Sequence, residues 1–478
     1  MPSGTLLSWS CYANLALLSA FLSFWPNLFP LPPEANSRTI ASPASQISEP
    51  GFFELAEGDS LKVSAQGPPG FSFDIFVYDT STHDLVGRSD DDSTAPFFLW
   101  TASRAGRYSI VLRNVSALSG EGLVTVLPRG SKSGAADTRP KTLALVEIPY
   151  ATDRQLGNVY TKNGKGIQMY GAEPADNDKL NYGVARVSIP RAHRMGELEA
   201  YSILKLEFGE DEANHVVLKE VTATTADEFG KIVGAEVNTA PNHDVLVFVH
   251  GFNTGFEDGL RRAAQIKYDL NFGGATVLYS WPSHGEVQPV SYNQDGRNAE
   301  LSIPHFKTFL NQLAAVKGVK TIHVLAHSMG NRVVMHALAE GTDSTRVHLR
   351  HIALMAPDID SAVFRKLATS MKSASDQITL YASSKDKALI ASEMFAGYPR
   401  AGQGGQRLVV MPGIVDTIDA SNVDIGLLGL NHSYFADSST ILCDLYGVLH
   451  DNPADKRFGL REESGAAGKY WIFEGRVR

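Results

Sequence analysis

The sequence predicts a two-part chain, a small all-β sandwich followed by a larger α/β domain with a mostly parallel sheet and helices on both faces. Three observations predict it. Early in the chain, short runs alternate apolar and polar residues between turn clusters, as strands buried on one face do. From Thr142 onward the strand-like runs become continuously apolar and alternate with stretches of helical periodicity, the pattern of a sheet covered on both sides. And 478 residues exceed the roughly 250–300 that one hydrophobic core sustains.

Composition narrows the function classes. The chain is 43% hydrophobic and 20% charged, as globular proteins are, with a net charge of −9. No basic excess exists to displace counterions from a polyanion, so nucleic acid is not an expected partner. The two cysteines, Cys11 and Cys443, cannot build a cysteine-based metal site. No H-E-x-x-H pair or similar ligand cluster occurs, so neither a metal nor another cofactor is expected.

Residues 1–37 read as a signal peptide or signal anchor. Their apolar core, densest from Leu15 to Trp25, is short for a membrane span, and no Lys or Arg precedes Arg38. Pro26, Pro30, Pro32 and Pro33 end any helix, and Ala35-Asn36-Ser37 offers a small-x-small cleavage site. The expected location is exported, periplasmic or secreted, or membrane-anchored through this segment. Residues 38–50, rich in Ser, Ala and Pro, read as a disordered spacer.

Residues 51–128 are the β-sandwich. Phe73, Ile75 and Val77 alternate with other residues, as do Tyr108, Ile110 and Leu112, and Leu123 to Leu127 form another short run. Gly67-Pro68-Pro69-Gly70, Ser89 to Ser93 and Arg104-Ala105-Gly106 supply the turns. Asp90 to Asp92 carry carboxylates that could ligate calcium, but a solvated loop is the favoured reading. Asn114-Val115-Ser116 matches a glycosylation sequon. Glu57-Gly58-Asp59, FDIFVYD, SDDDS and AGRYSIVL resemble the β-sandwich modules of pre-peptidase C-terminal type appended to secreted bacterial hydrolases. Such a module is expected to serve attachment to a surface or polymer and to stand outside the active site. Residues 129–141, RGSKSGAADTRPK, read as the linker that makes the two parts separable.

Residues 142–478 form the α/β domain. Val245 to Val249, Thr276 to Tyr279, Ile322 to Leu325, Ile352 to Met355 and Ile378 to Tyr381 read as strands. Phe306, Phe309, Leu310, Leu313 and Val316 make a helical stripe, with Ser302 and Pro304 marking its start. Helices also follow around Val363 to Leu367 and Ile441 to Leu449. Lys162-Asn163-Gly164-Lys165-Gly166 has the wrong glycine spacing for a phosphate loop and reads as a surface turn.

The chemistry gathers at strand ends, where ligands of parallel sheets bind. The run Ile322 to Leu325 leads into Ala326-His327-Ser328-Met329-Gly330 and then a helix, the strand–turn–helix context of a nucleophilic serine. Ala326 and Gly330 are the small elbow residues that the sharp turn requires. A serine needs a base, and the base needs an orienting acid. Asp386 follows the strand ITLYA, and His432 lies on a loop before the last helix. Asp358 and Asp360, in APDID, are the rival acids. Two N–H donors must meet the oxyanion: the backbone of Met329, and that of Phe252 in the loop that continues VFVHGFN.

The α/β part resembles bacterial esterase-like α/β-hydrolases catalogued as a domain of unknown function. The resemblance runs from about Val146 to His450 and rests on YATDR, Tyr182-Gly183 through Ser188-Ile189-Pro190, VFVHGFN, SWPS, LAHSMGNR, APDID, YASSKD and NHSYF. It implies the α/β-hydrolase fold, with Ser328 as nucleophile, Asp386 as acid and His432 as base. Asn431 stands where the family usually has glycine. The expected function is cleavage of a carboxylic ester, small-molecule or lipid, through an acyl-enzyme. A serine peptidase or acyltransferase would use the same triad, and a non-catalytic binding protein would keep the fold without turnover.

Overall fold

The computed structural model describes residues 37–42, 48, 51–66, 73–80, 85–89, 97–114, 118–128, 144–162, 165–176, 179–190, 193, 198, 212–240, 242–270, 272–285, 289–341, 349–423, 438–457 and 459–473. The N-terminal part is all-β. Its strands are β1 (Ser37–Ser42), β2 (Gly51–Leu55), β3 (Ser60–Gln66), β4 (Phe73–Asp79), β5 (Leu85–Ser89), β6 (Phe97–Thr101), β7 (Gly106–Asn114) and β8 (Gly120–Leu127). They form two antiparallel four-stranded sheets, β1-β8-β3-β6 and β2-β7-β4-β5. Phe73, Ile75, Val77, Ile110 and Leu112 meet Leu61, Val63 and Val124 in a core of their own.

The second part is built on an eleven-stranded mixed sheet. Its strands are β9 (Ala144–Thr152), β12 (Asn181–Ile189), β13 (Val217–Thr224), β14 (Asp244–Val249), β15 (Ala275–Ser280), β16 (Thr321–His327), β17 (Leu349–Met355), β18 (Ser375–Ala382), β19 (Asp416–Asp419), β20 (Leu460–Gly465) and β21 (Gly468–Phe473). β10 (Arg154–Lys162) and β11 (Lys165–Pro174) pair separately as a ribbon. The order is β13-β12-β9-β15-β14-β16-β17-β18-β19-β21-β20, parallel from β9 through β21 and antiparallel at both edges.

Among the described residues the α-helices are α1 (Ala226–Thr239), α2 (Phe256–Leu270), α3 (Pro289–Ala314), α4 (Gly330–Ala339), α5 (Ser361–Met371), α6 (Lys387–Ala396) and α7 (Ser439–Leu449). Alternate residues of a strand point to opposite faces, and β14 feeds two cores in this way. Leu246 and Phe248 pack with α2 and α7 on one face. Val245, Val247 and Val249 pack with α1, α3, α4 and α5 on the other. That is why the strand reads as an unbroken apolar run.

The two parts share a buried interface. β4 is buried along its whole length, because its second face, with Phe76 and Tyr78, joins the large core beside Val111 of β7. Arg113 is buried between the parts and ion-paired with Asp74, Nε to Oδ2 at 2.7 Å. It also donates to the carbonyl of Asp269 in α2 at 2.5 Å and lies over the Tyr446 ring of α7 at 4.9 Å. Tyr446 donates to the Asn114 carbonyl at 2.6 Å, and Tyr78 meets the Cys443 thiol at 3.1 Å. Burial first, against the Tyr78 hydrogen bond, pushes that thiol up to about 11.

Several expectations change. Ser37–Ser42 is not spacer or leader but strand β1, paired with β8. The linker reading of 129–141 lies outside the described residues, yet the buried interface makes the sandwich an integral part of the fold, not a detachable one. The helix expected to start near Ser302 begins at Pro289 and runs through Pro304. A further hairpin, β20–β21, follows α7 and adds the sheet's other edge. Lys162 pairs with Lys165 where β10 meets β11, and Asn163 and Gly164 lie outside the described residues. Asn114 is buried, its amide donating to the carbonyls of Ser42 and Leu118, which leaves no room for a glycan. Asp90 to Asp92 and residues 1–36 lie outside the described residues. Among the described residues no helix is long and apolar enough to cross a membrane.

Candidate active site

Ser328 follows the last residue of β16 and precedes α4 by one residue. Its φ is +49°, in the left-handed region that a non-glycine residue occupies at a cost of about 1–2 kcal/mol. Surrounding hydrogen bonds hold it there. The Ser328 N–H donates to the Met355 carbonyl at 2.9 Å. Its carbonyl accepts from the Asn331 side chain at 2.9 Å and from the Asp358 N–H at 3.2 Å. Ala326 and Gly330 are both buried. What forbids a larger residue at 330 is the neighbouring strand end: a Cβ there would meet the carbonyls of Val249 and His250.

The loop after β14 lies directly against this turn. A Cβ on Gly251 would come within 2.8 Å of both the Ser328 Cβ and His327 Nδ1. His250 is buried and stacked on Trp281, whose Nε1 donates to the His250 carbonyl at 2.7 Å. Burial, and then the nearby Arg154 cation, lower His250 to about 3, so the ring is neutral. Its Nε2 faces an Arg154 donor at 3.3 Å, and so Nδ1 carries the proton and donates to the Gly251 carbonyl at 2.9 Å. Among the described residues no hydrogen bond takes up the N–H of Phe252 or of Met329. Met329 is fully buried, and an unpaired buried N–H is rare and costly. Asn253, next in the loop, also has a positive φ of 56°.

The three acids differ sharply. Asp386 is fully buried at the C-terminal end of β18 and caps α6, accepting the Leu389 N–H at 3.0 Å. Asp360 caps α5 through the N–H groups of Ala362 and Val363 at 2.7 and 3.0 Å. Asp358 is saturated: Tyr292 and Ser392 hydroxyls at 2.7 Å each, Arg332 at 3.0 Å and Arg400 at 3.1 Å. Burial works to raise Asp358, but the two guanidiniums and these hydroxyls outweigh it and hold the carboxyl low.

The structure thus brings Ser328, Met329 and Gly330 together with the Gly251–Phe252 loop, and sets Asp386 beyond the carboxyl end of β18, two strands along the sheet from β16. His432 lies outside the described residues. His323 is at the opposite end of β16, stacked on His351 at 5.1 Å. Sequence reasoning gave no role to Arg154, Trp281, Tyr292, Arg332 or Arg400. The signal for the first two was present in YATDR and SWPS, whose residues meet around His250.

Residues 225–448 match a family described as alpha/beta hydrolase of unknown function (DUF900). That match supports an α/β hydrolase family for this part of the chain. A 66-residue stretch is 36% identical to an uncharacterized protein, alr1448, of Nostoc sp., covering 14% of this chain and 17% of that protein. Among solved structures, the pre-peptidase C-terminal domain of a collagenase from Bacillus anthracis aligns at 11% identity and a TM-score of 0.17, over 19% of this chain and 86% of that one. A family two carbohydrate esterase from Clostridium thermocellum aligns at 10% identity and 0.17, over 69% and 86%. Scores this low carry no fold assignment.

Proposed function

We propose that the protein is a serine hydrolase of α/β-hydrolase fold that cleaves carboxylic esters through Ser328, Asp386 and His432. The observation that carries the reading is the strained Ser328, held between strand and helix and facing the Gly251–Phe252 loop. The buried Met329 N–H with no partner among the described residues supports an oxyanion site beside it.

In this reading His432 takes the Ser328 hydroxyl proton as Oγ adds to the ester carbonyl. The N–H groups of Phe252 and Met329 meet the developing oxyanion, where fixed donors act most strongly. Collapse of the tetrahedral species breaks the carbonyl–alkoxy bond, and His432 returns its proton to the leaving alcohol. Water then attacks the acyl-enzyme with His432 again as base, releasing the acid and restoring Ser328. Asp386 orients the imidazole. Its carboxylate is itself fixed by the α6 cap.

The test pairs labelling by a fluorophosphonate probe with a panel of p-nitrophenyl esters, run beside peptide and lactone substrates. Labelling at Ser328 with ester turnover is the expected result. Labelling with peptide turnover only would move the reaction to peptidase, and no labelling with no turnover would leave a binding protein.

A further inference from the structure

Arg154 is buried to 1% exposure at the start of β10. All five of its N–H groups are used. Nε donates to the Ser280 hydroxyl at 2.9 Å. Nη1 donates to the carbonyls of Gly171 at 3.0 Å and Ser283 at 2.8 Å. Nη2 donates to His250 Nε2 at 3.3 Å and to the Thr254 carbonyl at 2.8 Å. Among the described residues no carboxylate stands within ion-pair distance of it; neutral dipoles meet the charge. Burial lowers the group to about 10, which leaves it protonated at neutral pH.

Four of the five acceptors have one thing in common. His250 and Thr254 bracket the Gly251–Asn253 loop, and Ser280 and Ser283 bracket Trp281, on which His250 stacks. Two loops leaving adjacent parallel strands, β14 and β15, are thereby fastened to one rigid planar fork. Further bonds complete the frame: the Thr254 N–H donates to the Ser283 hydroxyl at 3.2 Å, and that hydroxyl donates to Asp295 at 2.6 Å. With both ends pinned, the Phe252 peptide between them has little freedom to turn its N–H.

We propose that Arg154 is a positioning residue that aims the Phe252 N–H at the oxyanion, acting through His250 and the Thr254 carbonyl. The inference rests on the ester-hydrolase reading and deepens it. A lysine keeps the charge but offers three donors on a single nitrogen, so it cannot span five acceptors arranged around a plane.

The experiment compares Arg154→Lys and Ser280→Ala with the wild type in the full chain, using a p-nitrophenyl ester and a trifluoromethyl ketone. The ketone adds reversibly to a serine and places an oxyanion in the same position. For Arg154→Lys, kcat should fall by about 10²-fold, the scale of one misaimed oxyanion donor. KM should stay within about threefold, and the ketone Ki should rise in step with the fall in kcat/KM. Ser280→Ala removes the Nε acceptor without stranding a charge, and should lower kcat by about tenfold. The double variant should be no worse than Arg154→Lys alone, because both act through one frame. Should Arg154→Lys fail to fold, Ser280→Ala decides by itself. Wild-type ester turnover with unaltered kcat and Ki in the folded variants would overturn the clamp alone. A wild type that turned over no ester would overturn the ester reading, and the clamp with it.

Discussion

A Cβ on Gly330 would lie 2.3 Å from the carbonyl oxygen of His250. The serine turn and the loop facing it are therefore packed backbone to backbone, with no side chain between. Gly330→Ala should force them apart. Overpacking of this kind costs about 1–3 kcal/mol, so the urea midpoint should fall and ester turnover should fall with it. A variant with unchanged midpoint and turnover would show that the turn has room to shift.

Ser328→Ala should lower kcat by about 10⁶-fold, the scale of nucleophile loss in a triad. Ser328→Gly should be equally inactive yet more stable than the wild type, by about 1 kcal/mol. Glycine adopts the positive φ of 49° without the steric penalty that serine carries. Equal thermal midpoints for the Gly and Ala variants would remove strain from the account.

Asp386→Asn should reduce turnover by about 10⁴-fold, as misorienting the histidine does in triads generally. Asp360→Asn should do little, since asparagine caps a helix nearly as well. Asp358→Asn is expected to act on the fold instead. It takes the carboxylate from two guanidiniums, the buried Arg400 and the half-buried Arg332, a loss on the order of 3–5 kcal/mol. Denaturant melts and kcat per folded molecule separate the three outcomes.

The sandwich should not be removable. A chain beginning at Lys141 would lose Phe76, Tyr78 and Val111 from the large core and bare Cys443 and Tyr446. We expect it to be insoluble or much less stable, in contrast to the separable domain that the linker composition predicts. Arg113→Ala makes the same point within the full chain, removing the guanidinium from a buried ion pair at a cost of about 3–5 kcal/mol. Full solubility and wild-type turnover of the truncated chain would refute this.

Acid should weaken the fold through His351. Burial, then His323, lowers it from about 6.5 to about 4, against the opposing pull of Asp451 at 2.9 Å; Arg350 adds to the lowering. As pH falls the unfolded chain takes the proton first, so this contribution is complete above about 6.5 and is lost between 6.5 and 4. The loss reaches about 3 kcal/mol, and His250 acts in the same direction. Urea midpoints at pH 7.5 and 4.5 should differ less in His351→Gln than in the wild type.

Much of this was legible in the residues. The continuous apolar runs of β14 to β18 marked strands covered on both faces, and small residues around Ser328 marked the turn. FDIFVYD also carried the buried interface, because Phe76 and Tyr78 sit where a one-sided strand would be polar. Other features were hidden for physical reasons. β1 is an edge strand that buries one apolar side chain, Ile40, so it has no periodicity to read. Pro304 masquerades as a helix start because the stripe of apolar residues begins only after it. The Arg154 clamp draws its acceptors from β11 and from the ends and loops of β14 and β15; three of the five are backbone carbonyls, and a fourth, His250, requires a particular tautomer. No local pattern encodes such a convergence.

The Tyr446–Asn114 hydrogen bond joins residues 332 positions apart, and this sets an order of events during synthesis. The sandwich sheet with β4 and β7 emerges from the ribosome early, but its partner helix α7 is nearly the last element made. At about 5–20 residues per second, the outer face with Phe76, Tyr78 and Arg113 waits roughly 15–70 s before it can be covered. For that interval the nascent chain displays a sticky, half-charged surface. The newborn protein is therefore most vulnerable to aggregation, and most in need of a chaperone, at the domain that finishes its own folding first.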